Sequence, residues 1–198
     1  MNTPQTVLYA GSFNPFHIGH LDILRQAEKI FDKVVIGVGT NGSKGGNVDA
    51  AQHSLIQIGL PNLIIAIRGT ITETMKNHGI NTLVRGVRDN EDLIAEARMG
   101  CYLRDLLPSI NIVYLFPSPE VVHVSSSAVR ELIRLNNTDS IMVANRYLVR
   151  NMGVAPRFAT PDGQIEGGHS SQAQGIHSAI RPVVKSGSSM FASLTRKL

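Results

Sequence analysis

The sequence predicts an α/β fold, a doubly wound five-stranded parallel sheet, and three observations carry that expectation. Short apolar runs of the buried-strand type alternate with segments of helical period from residue 6 to residue 150. The first run, Val7-Leu8-Tyr9-Ala10, empties into Gly11-Ser12-Phe13-Asn14-Pro15-Phe16-His17-Ile18-Gly19-His20, a turn that leads directly into a helical pattern. Polar and basic residues gather at the carboxyl ends of the runs, where a sheet of this kind keeps its ligands.

Residues 6–10 are apolar nearly throughout and rich in strand formers, as a parallel strand covered on both faces must be. Beyond the turn, Ile18, Leu21, Leu24, Ala27 and Phe31 recur at helical spacing, while Asp22, Arg25, Gln26 and Lys29 take other faces. The second strand is 33–39, and it ends in the polar, glycine-rich loop 40–47. Strand, helix and strand in this order make a right-handed crossover. The alternation continues with a helix over 49–58, a strand over 62–67, a helix over 70–77 and a strand over 81–85. Residues 89–107 form a long helix whose first turn carries Asp89, Glu91 and Asp92 against the positive end of the helix dipole, and Pro108 closes it. A fifth strand spans 110–116. Ser125-Ser126-Ser127 then caps a helix running to Leu135, and 139–150 supplies a last amphipathic helix.

This pattern stops at residue 153, so the chain divides into a domain, 1–153, and a low-complexity basic tail, 154–198, rich in Gly, Ser, Pro and Gln and expected to be mostly disordered. The formal charge of +4 invites a nucleic-acid reading, but the tail holds five basic residues against two acidic ones, leaving only +1 for the body. No specific nucleic acid is expected as a partner. No apolar stretch is long enough to span a bilayer, the first residues lack a secretory pattern, and the single cysteine, Cys101, suits a reducing compartment; together these predict a cytoplasmic protein with no membrane partner. Cys101 itself is expected to be a buried helical thiol.

A helix that starts straight after a Gly/Asn/Pro turn offers free N–H groups, which attract phosphate. His17 and His20 stand there on neighbouring positions of one helical face, and imidazoles donate hydrogen bonds to phosphate oxygens. The sheet brings to the same edge Ser12 and Asn14 from the first loop, Lys44 from the second, Arg85 and Arg88 from the fourth and Ser125 to Ser127 from the fifth. Such a set suits a triphosphate and a second anionic substrate. Arg85 has a second reading, as an ion-pair partner of Asp92 or Glu96. His53, His78 and His123 lack the spacing of a metal site, so no protein-held metal is expected.

These motifs also resemble a known family. Gly-Ser-Phe-Asn-Pro-Phe-His-Ile-Gly-His resembles the first signature of the HxGH/TxGH nucleotidyltransferases, and Val-Ser-Ser-Ser-Ala-Val-Arg-Glu resembles their second. Arg85-Gly86-Val87-Arg88, with Asp92 and Glu96 and then Pro117-Ser118-Pro119-Glu120, looks like the phosphopantetheine adenylyltransferases within that superfamily. The resemblance implies a Rossmann-like nucleotidyltransferase fold and adenylyl transfer from ATP, with Mg²⁺, to 4′-phosphopantetheine, giving dephospho-coenzyme A and pyrophosphate. It implies His20, Lys44 and Arg88 as catalytic residues. For the nucleotide it implies Gly11, Ser12, Phe13, His17, Gly19, His20, Arg88, Glu96, Val121, Val122, His123, Val124, Ser125, Ser126 and Ser127. For the small phosphorylated acceptor it implies Ser12, Lys44, Ile71 and Arg85, and for assembly a homo-oligomer, a hexamer. His17 stands where the family usually has Thr, and Asn14 where it has Asp; a histidine first is commoner in enzymes acting on nicotinamide or nicotinate mononucleotide, the alternative acceptor. A non-catalytic binding or structural module on the same fold is the other alternative.

Overall fold

Val7, Leu8, Tyr9 and Ala10 are all buried, as consecutive strand residues are only when helices cover both faces of a sheet. The computed structural model describes residues 4–40, 47–150 and 152. Its strands are β1 (Thr6–Gly11), β2 (Lys33–Val38), β3 (Ile64–Ala66), β4 (Thr82–Gly86) and β5 (Asn111–Leu115). They form one sheet in the order β3-β2-β1-β4-β5, every pair parallel. The helices are α1 (Ile18–Ile30), α2 (Val48–Gln57), α3 (Ile71–Asn77), α4 (Asn90–Leu106), α5 (Ser126–Leu135) and α6 (Thr138–Tyr147).

The alternation of side chains along each strand sorts the core into two layers. Val7, Tyr9, Val34 and Ile36 pack with Leu24 and Ala27 of α1 and Leu55 of α2, while Leu8, Ala10, Val35 and Leu83 pack with Met75 of α3 and Leu103 of α4. A third cluster, Val124, Val129 and Ala144, ties α5 and α6 to Ile18 at the start of α1. The strand order reverses between β1 and β4, and a crevice opens beyond the carboxyl ends of strands at such a switch point.

Element boundaries agree with the sequence reading to within three residues, the largest differences being at the end of α6, which stops at Tyr147, and in β3. Just ahead of that strand the Asn62 side-chain amide donates to Glu28 and to the Val34 carbonyl. One expectation is overturned: Cys101 is exposed. The face of α4 that meets the sheet centres on Gly100 and Leu103, where a β-carbon at Gly100 would come within 3.0 Å of the Tyr114 hydroxyl. Cys101 lies about 100° round the helix from Gly100 and so misses the sheet. Lys44 and the tail 154–198 lie outside the described residues. Among the described residues no helix is long and apolar enough to cross a membrane.

Candidate active site

The turn after β1 is shaped by close packing. A β-carbon at Gly11 would sit 2.8 Å from the Phe13 ring, so glycine is needed there for the chain to fold back on itself. Phe13 adopts a left-handed backbone, φ 47°, and its buried ring meets Tyr9 edge-on at 5.1 Å and His20 edge-on at 5.1 Å. The His20 ring also stacks on Phe16 at 5.4 Å and on His17 at 3.7 Å. Three rings therefore fix its plane.

His17 caps α1 in extended conformation, and its backbone N–H donates to His20 Nδ1 at 3.3 Å. That bond makes Nδ1 the acceptor and leaves the proton on Nε2, so a neutral His20 offers an N–H donor. Both rings are held neutral. Burial, with the Arg88 guanidinium nearby, pushes His17 down to about 4; burial, then His17 and Arg88, holds His20 well below the usual histidine range. Gly19 allows the packing, since a β-carbon there would approach the His17 ring to 3.2 Å and the Val121 carbonyl to 3.5 Å.

A depressed histidine pKa has a consequence for stability. Below pH 6.5 the unfolded chain binds a proton at His17 that the native protein does not take up until about pH 4, so stability is full above 6.5 and falls as the pH drops through that window. The expected loss is up to about 1.4 kcal/mol per pH unit for each such histidine. Urea melts at several pH values between 7.5 and 5 check this. His17→Thr, which keeps a capping side chain, should flatten the slope.

The cleft lies at the switch point and measures about 240 Å³. Gly11, Ser12, Phe13, His17, Gly19 and His20 line one side, Arg85, Arg88, Asp92 and Glu96 another, and Val121, Val124 and Ser125 to Ser127 the third. Ser125 caps α5, its hydroxyl accepting from Ala128 N–H at 3.1 Å, which leaves the first N–H groups of that helix facing the same cleft. The two signatures are bonded to each other: Ser126 Oγ donates to the Pro15 carbonyl at 3.1 Å, and Arg130 donates to the Asn14 carbonyl and to Ser127 Oγ.

The arginines are held differently. Arg85 forms a mostly buried ion pair with Glu96, its Nε donating at 2.8 Å, and also donates to the Ala10 carbonyl at 2.7 Å. Arg88 pairs with Asp92 one helical turn away at 2.7 Å and is more open to solvent; the pair raises the one pKa and lowers the other. A second depression of about 760 Å³ adjoins the cleft, shares Ala10, Gly11, Ser12 and Arg85 with it, and runs past Ile71 and Met99 toward Arg68.

Of the residues singled out in the sequence, Asn14 lies in a separate depression with Phe16 and Leu148, and Val122 and His123 also stand outside the cleft. Their segment turns there, and the His123 ring meets Tyr147 at a centroid distance of 5.5 Å instead. The cleft-lining residues Tyr9, Ala10, Ile23, Gly86, Asp92 and Pro117, and Arg130 of the second motif, are not assigned to the site from sequence. Arg130 carried a signal, lying four residues after Ser126 on the capped face of α5. Tyr9 carried one as the single aromatic residue in an apolar strand. Among the described residues no three of His, Cys, Asp or Glu come together as a metal site.

A family model described as cytidylyltransferase-like matches residues 8–132. A phosphopantetheine adenylyltransferase of Streptococcus suis is 36% identical over 132 residues, covering 64% of this chain and 82% of its own. One from Campylobacter concisus is 32% identical over 151 residues, 73% of this chain and 96% of its own. Among solved structures, a bifunctional NMN adenylyltransferase/ADP ribose pyrophosphatase from Francisella tularensis aligns with TM-score 0.53 at 14% identity, over 75% of this chain and 46% of its own. A putative nicotinate-nucleotide adenylyltransferase from Vibrio parahaemolyticus aligns with TM-score 0.51 at 13% identity, over 74% of this chain and 88% of its own. At those identities the structural likeness speaks for the fold alone.

Proposed function

The chain belongs to the cytidylyltransferase-like family, and from that premise we propose that it is a phosphopantetheine adenylyltransferase, moving AMP from ATP to 4′-phosphopantetheine with formation of dephospho-coenzyme A and pyrophosphate. The observation that carries the acceptor is the 32–36% identity to phosphopantetheine adenylyltransferases over most of their length. The arrangement of the cleft supports it. Two adjoining depressions share Ser12 and Arg85, as a reaction joining two phosphorylated substrates requires.

In this reading an oxygen of the acceptor phosphate attacks the α-phosphorus of ATP, the bond from that phosphorus to the bridging oxygen breaks, and pyrophosphate departs. The nucleophile is already ionised, so no serine, cysteine or general base is needed; alignment and charge stabilisation suffice. The neutral His20 donates from Nε2 to an α-phosphate oxygen as charge grows there. Ser12, His17, Gly19 and the start of α5 hold the phosphates of ATP, and Phe13, Val121 and Val124 wall the nucleotide. Arg88, open and only half-engaged by Asp92, neutralises phosphate charge; Lys44, outside the described residues, is assigned the same task. Arg85 and Ile71 face the acceptor, Arg85 remaining tied to Glu96.

Mg²⁺ is proposed to travel with ATP, held by the triphosphate, because both carboxylates in the cleft, Asp92 and Glu96, are engaged by arginines. Bound so, it would offset charge on the β- and γ-phosphates. We also propose a homo-oligomer, a hexamer by analogy with the family, working in the cytoplasm. The outer face of α4 leaves Met99, Tyr102 and Leu106 exposed, apolar surface that a second copy would cover.

Pyrophosphate release measured with ATP, Mg²⁺ and a panel of acceptors tests the assignment. Turnover is expected with 4′-phosphopantetheine and at least about a hundredfold less with nicotinamide or nicotinate mononucleotide, the scale on which a site built around one substrate's polar groups rejects another. Turnover with a mononucleotide alone would reassign the acceptor. No turnover with any of them, and no rise of Tm with ATP, would leave a binding module.

A further inference from the structure

Between β5 and α5 the chain crosses as the irregular segment 116–124, and three of its residues, Pro117, Val121 and Val124, form a wall of the cleft. Irregular chain holds a wall only if something rigid pins it. Here one carboxylate does. Asp22 sits on α1 two residues beyond His20, and its Oδ2 accepts the Ser118 N–H at 2.8 Å, while Ser118 Oγ lies 3.0 Å and 3.1 Å from Oδ1 and Oδ2. Gln26, one turn further along α1, donates to Asp22 Oδ2 and to the Phe116 carbonyl, both at 2.9 Å.

The link continues through the backbone. The Ser118 carbonyl accepts from the N–H groups of Val121 and Val122, both at 3.0 Å, and the Val121 carbonyl accepts from Val124 N–H at 3.0 Å. An unbroken run of hydrogen bonds therefore joins α1, just past His20, to the residue before the serine cap of α5. A carboxylate suits the first position because charge-assisted bonds are stronger than neutral ones and its lone pairs serve several donors at once.

We propose that Asp22 is a positioning residue for the nucleotide side of the cleft, holding segment 116–124, through Ser118, at the distance from His20 that ATP requires. The inference rests on the adenylyltransferase reading for the identity of its ligand. Asp22 is bonded to Ser118 and Gln26 and does not line the cleft, so it acts through the wall and not on the reacting atoms.

Direct binding of each ligand by calorimetry, with no turnover, tests this. Asp22→Ala is expected to weaken ATP binding about ten- to thirtyfold, the scale of lost charge-assisted bonds, with 4′-phosphopantetheine affinity within about twofold. Ser118→Ala, which keeps the backbone N–H, is expected to cost about threefold. The double variant should bind ATP no more weakly than Asp22→Ala, since both changes break one link. Asp22→Asn keeps one acceptor oxygen and should recover part of the loss. Unchanged ATP affinity in folded Asp22→Ala, or equal weakening of both ligands, would overturn the inference; if Asp22→Ala does not fold, unchanged ATP affinity in both Asp22→Asn and Ser118→Ala would do so. A wild-type protein that binds ATP without transferring AMP to 4′-phosphopantetheine would defeat the assigned reaction and leave the ATP measurements of this test standing.

Discussion

Replacing His20 by alanine is expected to lower kcat for pyrophosphate release by about a thousandfold, with ATP affinity within about threefold of wild type. The asymmetry follows from where the ring sits. Its plane is set by Phe13, Phe16 and His17, its Nδ1 is occupied by the His17 N–H, and only Nε2 is left to donate. Such a donor meets its best acceptor when charge develops on the α-phosphate, so its loss falls on the transition state more than on bound ATP. Geometry also separates two substitutes. Glutamine places an amide N–H near the position of Nε2 and should recover about tenfold of the loss, whereas asparagine reaches only the position of Nδ1 and should recover little. Stopped-time pyrophosphate assays with parallel ATP titrations measure this, and equal losses in kcat and ATP affinity would contradict a transition-state role.

Arg85→Ala is expected to destabilise the protein by about 3 kcal/mol, near the lower end for removing one partner of a buried ion pair. For a domain of this size that corresponds to a fall in Tm of about 6–12 °C. The reason is Glu96, whose carboxylate is four-fifths covered and would be left without the guanidinium that it faces. The Ala10 carbonyl at the end of β1 loses its donor in the same step. Removing Glu96 as well relieves the unpaired charge, so the double variant Arg85→Ala/Glu96→Ala should be more stable than Arg85→Ala alone. Calorimetric melts of the three variants decide this. A double variant no more stable than the single would mean that the pair does not carry the effect.

Much of the fold could be read in the residues because its determinants are local. Continuous apolar runs, helical periods, the Gly11 to Pro15 turn and the serines at 125–127 each lie within a few residues of one another. Strand ends are gathered by topology alone, which is why His17, His20, Ser12, Arg85, Arg88 and the three serines fall into one group on the sequence. Arg85 illustrates the limit. Both of its readings were open in the sequence, and the structure gives it the Glu96 pair while still leaving it on the border of the two depressions. Cys101 shows the limit from the other side: a helix with apolar residues on several faces does not say which face meets the sheet, and the contact of Gly100 with Tyr114 decides it.

By itself, then, the sequence determined the alternation of strands and helices, the place where phosphate would be drawn, and the chemistry of the groups waiting there, because propensity, period and capping act over one or two turns of chain. Only the tertiary structure decided which proton His20 carries, that both histidines are kept neutral, that the two signatures are bonded through Ser126 and Arg130, and that Asp22 reaches across 96 positions to Ser118. Those are matters of burial and of contact between distant segments. A side chain's protonation and its partner depend on what the rest of the chain brings to it, and no local pattern records that.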